Sequence, residues 1–296
     1  MYKENNIINY DIKYSDACVN LFNDVFNDND DGSLHAWKFE KNPFGLGKGY
    51  LYLDSTTCVS IRLFMSWMYV NSDKMISTIQ AVDSATSKKF RGLGLFSRMT
   101  KKSVDTLGTN FVNFPNDNSL NSYLKLGWIL KYSFKAKYGL TFSPSILKYV
   151  TGDIPKIVKI NNKDQLMIPS IESKCFSTAW DLDALSWRFL ERPFTNYYIF
   201  SENDKFIIYA KKHKKHIPIA QIMLSSDSID DDFYNKFRLR LINQGILFVS
   251  YFGVNSKISN ILKRKGVPLG KKLNVVTRGD ISNYDLRVEL ADTDFV

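Results

Sequence analysis

The 296-residue sequence has only three cysteines and no long apolar run, and each absence excludes a class of protein. Cys18, Cys58 and Cys175 are too few for a disulfide framework, and their spacing matches no zinc site, so we expect reduced thiols and no metal. No segment reaches the roughly 18 apolar residues of a membrane span, and residues 1–14 lack the apolar core of a signal peptide. We therefore expect a cytoplasmic protein rather than a membrane or secreted one.

Negative charge is in deficit, since 40 Lys and Arg residues outnumber 30 Asp and Glu residues and give a net charge of +10. This excess favours an anionic partner without identifying it. The densest basic run, Lys211 to His216, lies between two strand-like segments. We interpret it as the solvated turn of a hairpin rather than as a nucleic-acid site.

The sequence repeats itself, as two pairs of segments show. HAWKFEKNPF at 35–44 resembles LSWRFLERPF at 185–194, and FVNFPNDNS at 111–119 resembles FVSYFGVNS at 248–256. Both offsets are close to half the chain length, which predicts two copies of one domain, residues 1–150 and 151–296. The second offset is the smaller one, so the second copy is expected to have lost a segment between the two anchors.

Apolar periodicity predicts similar elements in each copy. Helices are expected near 15–26 and 175–190, and each is followed by three short strands, a helix, a strand and a second helix. The first copy is expected to end in a hairpin made from 128–130 and 135–142. Together these elements predict an α+β fold in which helices flank a central, mostly antiparallel sheet.

The most informative segment follows the third strand of the first copy. Residues 89–94 read KFRGLG and lead into a helix predicted at 95–107. Glycines at a helix start let an anion approach the backbone N–H groups, and the helix dipole favours phosphate oxygens there. The segment lacks the further residues of a dinucleotide fingerprint or a Walker loop, so an ordinary glycine turn remains the alternative.

A second motif lies downstream, at 116–128. Together the two motifs resemble the GNAT acyltransferases (GCN5-related N-acetyltransferases), whose acyl-CoA loop runs Gln/Arg-x-x-Gly-x-Gly/Ala. The later family motif runs Asn-x-x-Ala-x-x-x-Tyr-x-Lys-x-Gly-Phe, and the chain matches it except at Ser119 and Trp128, while Lys89 departs from the first motif. The resemblance is strong over 75–142 and extends more weakly through the repeat, so it implies two tandem GNAT-like domains.

The resemblance implies a site for acetyl-CoA or another short acyl-CoA in the first copy. It places the cofactor contacts at Lys89, Phe90, Arg91, Gly92, Leu93, Gly94, Leu95, Asn116 and Ser119. The second copy lacks the glycine loop, and Asn260 stands where the repeat places the counterpart of Tyr123. One acyl-CoA site is therefore expected.

The resemblance also implies that Tyr123 protonates the leaving thiolate. The ordinary pKa values, about 8.5 for a thiol and about 10 for tyrosine, are close enough for this transfer, although a packing role for the ring is the alternative. For the base that deprotonates the amine we consider Asp83 first, at the expected end of a strand, and His35 second. His35 titrates in a suitable range but is equally compatible with a buried structural role.

Tandem chains of this family include amino-sugar N-acyltransferases of bacterial surface polysaccharides, whose acceptors are nucleotide-linked sugars. The resemblance and the positive charge predict transfer of an acetyl or short hydroxyacyl group to such an amine, with the second domain supplying a wall for the acceptor. The alternatives are another small amine or a peptide as acceptor, or a tRNA-dependent aminoacyl ligase, although such ligases generally lack the glycine loop. We expect acyl-CoA and a small amine as partners, no nucleic acid, and a monomer or homodimer.

Overall fold

The computed structural model describes residues 6–149, 153–171 and 174–294, and the chain divides into two compact units. The first unit comprises Met1–Tyr69, Lys74–Tyr132 and Asn274–Tyr284, and the second comprises Val70–Asp73, Ser133–Leu273 and Asp285–Val296. The first unit therefore includes a segment from late in the chain. The predicted boundary between residues 150 and 151 lies outside the described residues and stays a prediction.

The N-terminal part of the chain supplies five strands and four helices. The strands are β1 (Ile7–Asn9), β2 (Lys48–Asp54), β3 (Thr57–Val70), β4 (Met75–Thr86) and β5 (Phe111–Asn113), and the helices are α1 (Ser15–Phe26), α2 (Ser33–Phe39), α3 (Leu95–Thr106) and α4 (Asp117–Lys125). The strands follow the order β1-β2-β3-β4-β5 in the sheet, and residues 276–278 pair with the far side of β5. The pairing of β4 with β5 is parallel, and α3 connects these two strands.

The rest of the chain supplies ten strands and three helices within the described residues. They are β6 (Ile129–Leu140), β7 (Ile157–Lys159), β8 (Ser177–Thr178), α5 (Leu182–Phe189), β9 (Tyr197–Glu202), β10 (Lys205–Lys214), β11 (Ile217–Ser225), α6 (Asp231–Ile242), β12 (Phe248–Tyr251), β13 (Gly253–Val254), α7 (Lys257–Lys265), β14 (Val267–Arg278) and β15 (Val288–Glu289). In the second unit the sheet order is β6-β12-β11-β10-β9-β7, and β11 pairs with β12 in parallel around α6. Each unit thus contains one parallel strand–helix–strand element in an otherwise mostly antiparallel sheet.

Short 3-10 helices complete the backbone. They span Ile12–Tyr14, Lys88–Phe90, Pro144–Tyr149, Lys163–Gln165, Asp280–Asn283 and Leu290–Asp292. No helix within 6–149, 153–171 and 174–294 is long and apolar enough to cross a bilayer.

One part of the core of the first unit forms where α3 and α4 cover the sheet. Leu95 and Met99, one helical turn apart on α3, pack against Tyr50 and Tyr52 of β2. Farther along the sheet, Tyr123 of α4 belongs to a second cluster of buried side chains, which also includes Phe64, Ile79, Ala81, Phe111, Trp128 and Val276. This packing fixes the position of both helices that carry the sequence motifs.

The predicted fold class is confirmed, and two predicted elements are wrong. The helix expected at 175–190 spans only Leu182–Phe189, because the Asp181 carboxylate accepts a hydrogen bond from the Ala184 N–H at 2.8 Å and starts the helix there. This helix corresponds in the repeat to α2, not to α1. The hairpin expected at 128–142 is one continuous strand, β6, whose residues 137–140 pair with β12, so its polar residues extend the strand instead of forming a turn.

The basic run forms a hairpin, as predicted, but its turn is shorter than expected. β10 continues through Lys214 and pairs with β11, so only two residues make the turn. Lys215 and His216 both have left-handed backbones, with φ of 49° and 69°, as a tight two-residue hairpin turn requires.

Candidate functional site

The sheet of the first unit opens where β4 leaves β5. The two strands pair only at Ile79–Phe111 and Gln80–Val112, whereas β4 continues to Thr86. The strand was expected to end near Asp83, and it runs three residues further. The stretch of β4 that does not pair with β5 leads directly into the loop that carries the two glycines.

That loop leaves the start of α3 open. Gly92 and Gly94 have left-handed backbones, with φ of 80° and 71°, and both residues are exposed. No side chain caps the helix and its first turn has no acidic residue. A Cβ added at Gly92 would meet no atom within 4 Å among the described residues, and one at Gly94 would meet only the Arg98 side chain, at 3.7 Å. The first N–H groups of α3 are therefore not capped by a side chain, and the loop before them is open, a combination that favours an anion.

The flanking side chains give this loop a positive surface and an apolar anchor. Lys88, Lys89 and Arg91 are exposed, and the Arg91 Nε donates to the Thr86 carbonyl at 3.2 Å. Phe90 packs against the cluster that contains Leu95. Phe90 and Leu95 thus anchor the loop through their side chains, and the Phe90 N–H donates to the Ser87 carbonyl at 2.9 Å.

The second motif fixes the start of α4. The Asn116 Oδ1 accepts hydrogen bonds from the Ser119 N–H at 3.0 Å and from the Ser119 hydroxyl at 3.1 Å. This is an N-cap, and it satisfies a backbone donor that the helix leaves unpaired. Both predicted cofactor residues therefore already have a structural role, and Asn116 is exposed whereas Ser119 is half-buried.

Tyr123 lies in the core beneath α3. Its ring meets those of Phe96 and Trp128 edge-on, at centroid distances of 5.9 and 5.0 Å. Its phenol oxygen accepts a hydrogen bond from the Arg62 Nη2 at 2.5 Å. Arg62 was not singled out from the sequence, where it stands as a lone cation within the apolar run of β3. The available signal was the charge of Arg62 at a position that the apolar pattern of the strand predicts to be buried.

Asp83 and His35 line one small cavity against α1 and α2. The Asp83 carboxylate pairs with the Lys38 ammonium at 2.7 Å, and the His35 Nε2 lies 3.0 Å from the Tyr10 hydroxyl. Burial lowers the pKa of His35 below its ordinary 6.5, so the ring is neutral at pH 7. The cavity measures about 20 Å³, which is enough for about one water molecule and too small for an amine substrate.

The predicted acid and the predicted bases lie on opposite faces of the sheet. Ile61 lines the cavity of Asp83 and His35, whereas Arg62, the next residue of β3, contacts Tyr123. Successive strand residues point to opposite faces. The structure therefore brings Asp83 and His35 together but separates them from Tyr123. After Gln80, β4 and β5 no longer pair, so the two faces of the sheet communicate through this opening.

The parallel element of the second unit has a different helix start. Five residues connect β11 to α6, compared with eight between β4 and α3. The Asp230 carboxylate accepts from the Phe233 N–H at 2.8 Å, and Asp231 and Asp232 occupy the first turn. A carboxylate thus caps the start of α6, and the negative charges of its first turn oppose phosphate binding.

The repeat also places no phenol opposite Tyr123. Asn116 caps α4 and Ser256 caps α7, and aligning these two caps sets Lys263 opposite Tyr123, in place of the Asn260 expected from the sequence offset. Neither residue is a phenol, so the repeat supplies no counterpart of Tyr123 in the second unit.

Solved structures share this fold. A GCN5-related N-acetyltransferase from Anabaena variabilis matches 92% of this chain and 72% of its own, with a TM-score of 0.63 and 11% identity. A protein from Pyrococcus horikoshii matches 98% of this chain and 95% of its own, with a TM-score of 0.58 and 13% identity. Saccharomyces cerevisiae N-myristoyltransferase, solved with bound myristoyl-CoA, matches 94% of this chain and 80% of its own, with a TM-score of 0.54 and 10% identity.

No protein-family model and no curated protein matches the sequence. At 10–13% identity the structural similarities establish the fold, and they confirm at that level the resemblance to GNAT acyltransferases.

Proposed function

We propose that this protein transfers an acyl group from acyl-CoA to an amine, with the acyl-CoA held by the first unit. The observation that carries the proposal is the uncapped start of α3, which has two exposed left-handed glycines beside the opening between β4 and β5. A pyrophosphate suits this start because free N–H groups, the helix dipole and the flanking cations all favour it. The fold supports the same reading, since one structural neighbour was solved with bound myristoyl-CoA.

In the proposed reaction the amine nitrogen attacks the thioester carbon and the carbon–sulfur bond breaks. Tyr123 gives its proton to the departing thiolate. The amine loses its proton toward Asp83 or the neutral His35, and we propose that a water molecule carries it because their cavity of about 20 Å³ is too small for the amine. The products are an amide and the free thiol of CoA.

We propose one acyl-CoA site per chain. The eight-residue glycine loop occurs in the first unit, whereas the corresponding helix start of the second unit carries Asp230, Asp231 and Asp232. Two negative phosphate groups would meet a carboxylate cluster there instead of free N–H groups.

We further propose that the acceptor is the amine of a nucleotide-linked amino sugar, and that the acyl group is acetyl or short hydroxyacyl. The support is the net charge of +10, which favours an acceptor that carries phosphate, together with the resemblance of the tandem sequence to amino-sugar N-acyltransferases.

Thiol release from acetyl-CoA and longer acyl-CoAs tests the proposal. Acceptors would be amino-sugar nucleotides, the same sugars without nucleotide, polyamines and peptide amines. We expect activity with the nucleotide-linked sugars and a kcat that falls about 10²–10⁴-fold in Tyr123→Phe, because the ring stays and the proton donor is lost.

Tyr197→Phe is the matched control for Tyr123→Phe. Tyr197 is another buried tyrosine, its hydroxyl accepts a hydrogen bond from Arg188 at 3.0 Å, and it lies in the second unit. We expect the kcat of the Tyr197→Phe variant to stay near that of the unmodified protein. Equal activity on free and nucleotide-linked sugars would refute the phosphate argument, activity confined to peptides or polyamines would refute the sugar, and no thiol release with any acceptor would refute acyl transfer.

A further inference from the structure

Arg62 is a buried cation that no carboxylate neutralises within the described part of the chain. It is 1% exposed. Its Nε donates to the Thr100 hydroxyl at 3.1 Å and its Nη2 donates to the Tyr123 oxygen. Burying a charge is costly unless a partner compensates for it, and the buried Arg287 of the second unit has two such partners, Asp227 and Glu289.

Aromatic rings enclose the Arg62 guanidinium. It lies 4.5 Å from the ring centroid of Phe64, 5.2 Å from that of Phe96 and 5.6 Å from that of Tyr123. Rings stabilise a cation through their faces and also keep water away from it. In such a dry environment, the attraction between the guanidinium and a negative charge on the neighbouring phenol oxygen is much stronger than in water.

Tyr123 therefore accepts a hydrogen bond from a positive group while its oxygen keeps its own proton. A tyrosine with its ordinary pKa of about 10 is a weaker acid than a thiol at about 8.5, so proton transfer from the phenol to a thiolate is unfavourable by about thirtyfold. A cation bonded to the phenol oxygen stabilises the phenolate, which lowers the pKa of the tyrosine and reduces its difference from the pKa of the thiol.

We propose that Arg62 is a positioning residue that stabilises the phenolate of Tyr123 and so makes Tyr123 an effective acid. The proposal rests on the acyl transfer proposed above. As the carbon–sulfur bond breaks, its electron pair goes to sulfur and the phenol proton follows, giving the thiol of CoA. The phenolate remains bonded to Arg62 until it takes up a proton again, which balances the proton released by the amine.

Tyrosine titration by NMR tests this proposal without any turnover. In protein labelled with ¹³Cζ-tyrosine, the Tyr123 resonance is the one missing from Tyr123→Phe. We expect Arg62→Met to move the pH of half-ionisation of Tyr123 upward by about 1–3 pH units, the usual effect of one nearby opposite charge. Arg62→Lys, which keeps a charge, should move it less and serves as the second variant if the Met variant does not fold.

Arg188→Met is the matched control, because Arg188 is also buried and also donates to a tyrosine hydroxyl, that of Tyr197. It should leave the Tyr123 titration unchanged. A Tyr123 half-ionisation pH that stays the same in folded Arg62→Met, or in Arg62→Lys if only that variant folds, would overturn the proposal.

A second measurement uses the selenoester of CoA as donor. A selenolate leaves without needing a proton because selenols are much stronger acids than thiols. We expect Arg62→Met and Tyr123→Phe to lose kcat with the thioester and to regain most of it with the selenoester, at a similar KM. Loss of activity with both donors would show a structural role and overturn the proposal. Absence of thiol release by the unmodified protein would instead overturn the proposed function, whereas the NMR titration would still decide what Arg62 does to Tyr123.

Discussion

Among individual residues, Asp292 in the second unit has an unusual protonation state. It is 3% exposed, and it accepts hydrogen bonds from the Thr178 hydroxyl at 2.8 Å and from the Glu289 N–H. Burial raises its pKa from 3.8 to about 7, and the charge of Glu289 acts in the same direction. The folded protein therefore keeps this carboxyl group protonated at pH values where the unfolded chain ionises it.

We expect Asp292 to reduce the free energy of unfolding as pH rises. Because its folded pKa lies above its unfolded value of 3.8, its stabilising contribution is complete below about pH 4 and is lost as pH rises to about 7. Asp292→Asn keeps the size of the side chain and removes the titration. Thermal unfolding followed by circular dichroism should show the Tm of the unmodified protein falling relative to that of the variant between pH 4 and 7. Parallel Tm curves would contradict this assignment.

Among the elements, α3 and α6 hold equivalent positions in the two parallel strand–helix–strand elements and differ at their first turns. Gly94 precedes α3 and leaves its N–H groups uncapped, whereas the Asp230 carboxylate caps α6. A carboxylate that caps a helix start competes with an external anion for the N–H groups there and repels it. This difference is the physical basis for expecting one acyl-CoA per chain.

Replacing Gly92 or Gly94 with Ala should weaken CoA binding at least about tenfold, which corresponds to about 1.4 kcal/mol. An L-residue disfavours the left-handed backbone, and its methyl group would enter the open space at the helix start. Isothermal titration with CoA measures the affinity and the stoichiometry.

The matched control for this prediction is Gly245→Ala. Gly245 also has a left-handed backbone, with φ of 72°, and a Cβ there meets no described atom within 4 Å, but it follows α6 in the second unit. This variant should show similar backbone strain with normal CoA affinity. Unchanged affinity in the Gly92 and Gly94 variants, or two CoA molecules per chain, would argue against the site.

The elements predicted best are those whose own residues determine them. The helix at Ser15–Phe26 and the loop at Gly92 and Gly94 follow from apolar periodicity and from glycine, which are local properties. β6 was missed because its polar residues suggest a turn when considered without a partner strand. Lys38 and Arg62 were missed because their partners, Asp83 and Tyr123, lie 45 and 61 residues away, and sequence spacing carries no information about such contacts.

In the whole molecule, the two units are not simply the first and second halves of the chain, because residues 274–284 belong to the first unit. Residues 276–278 pair with β5, and the Asn274 side chain donates to the Pro115 carbonyl at 3.2 Å and to the Asp117 carboxylate at 3.0 Å. Arg278 donates to the carbonyl of Leu126 at 2.8 Å. The strand and the helix that position Tyr123 are thus supported by residues more than 140 positions later in the chain.

We expect residues 1–150 alone to lack a stable fold, because β5 would lose its pairing with residues 276–278 and α4 would lose the hydrogen bonds from Asn274 and Arg278. Circular dichroism during heating should show no cooperative transition, and titration should show no CoA binding. A chain that joins residues 267–284 to residues 1–140 through a Gly-Ser linker is the control and should recover both. Cooperative unfolding of the 1–150 fragment would contradict the expectation.

The late contribution of residues 274–284 to the first unit has a consequence for synthesis of the protein. During translation the glycine loop and Tyr123 leave the ribosome long before Arg278, so β5 waits with an open hydrogen-bonding edge while the second unit is being made. Such an edge can pair with other chains, so we expect the nascent protein to be prone to aggregation at this stage. The proposed acyl-CoA site is then completed only after residues 274–284 have been made, so we expect chains that terminate before Asn274 to carry the motifs of the first copy without binding acyl-CoA.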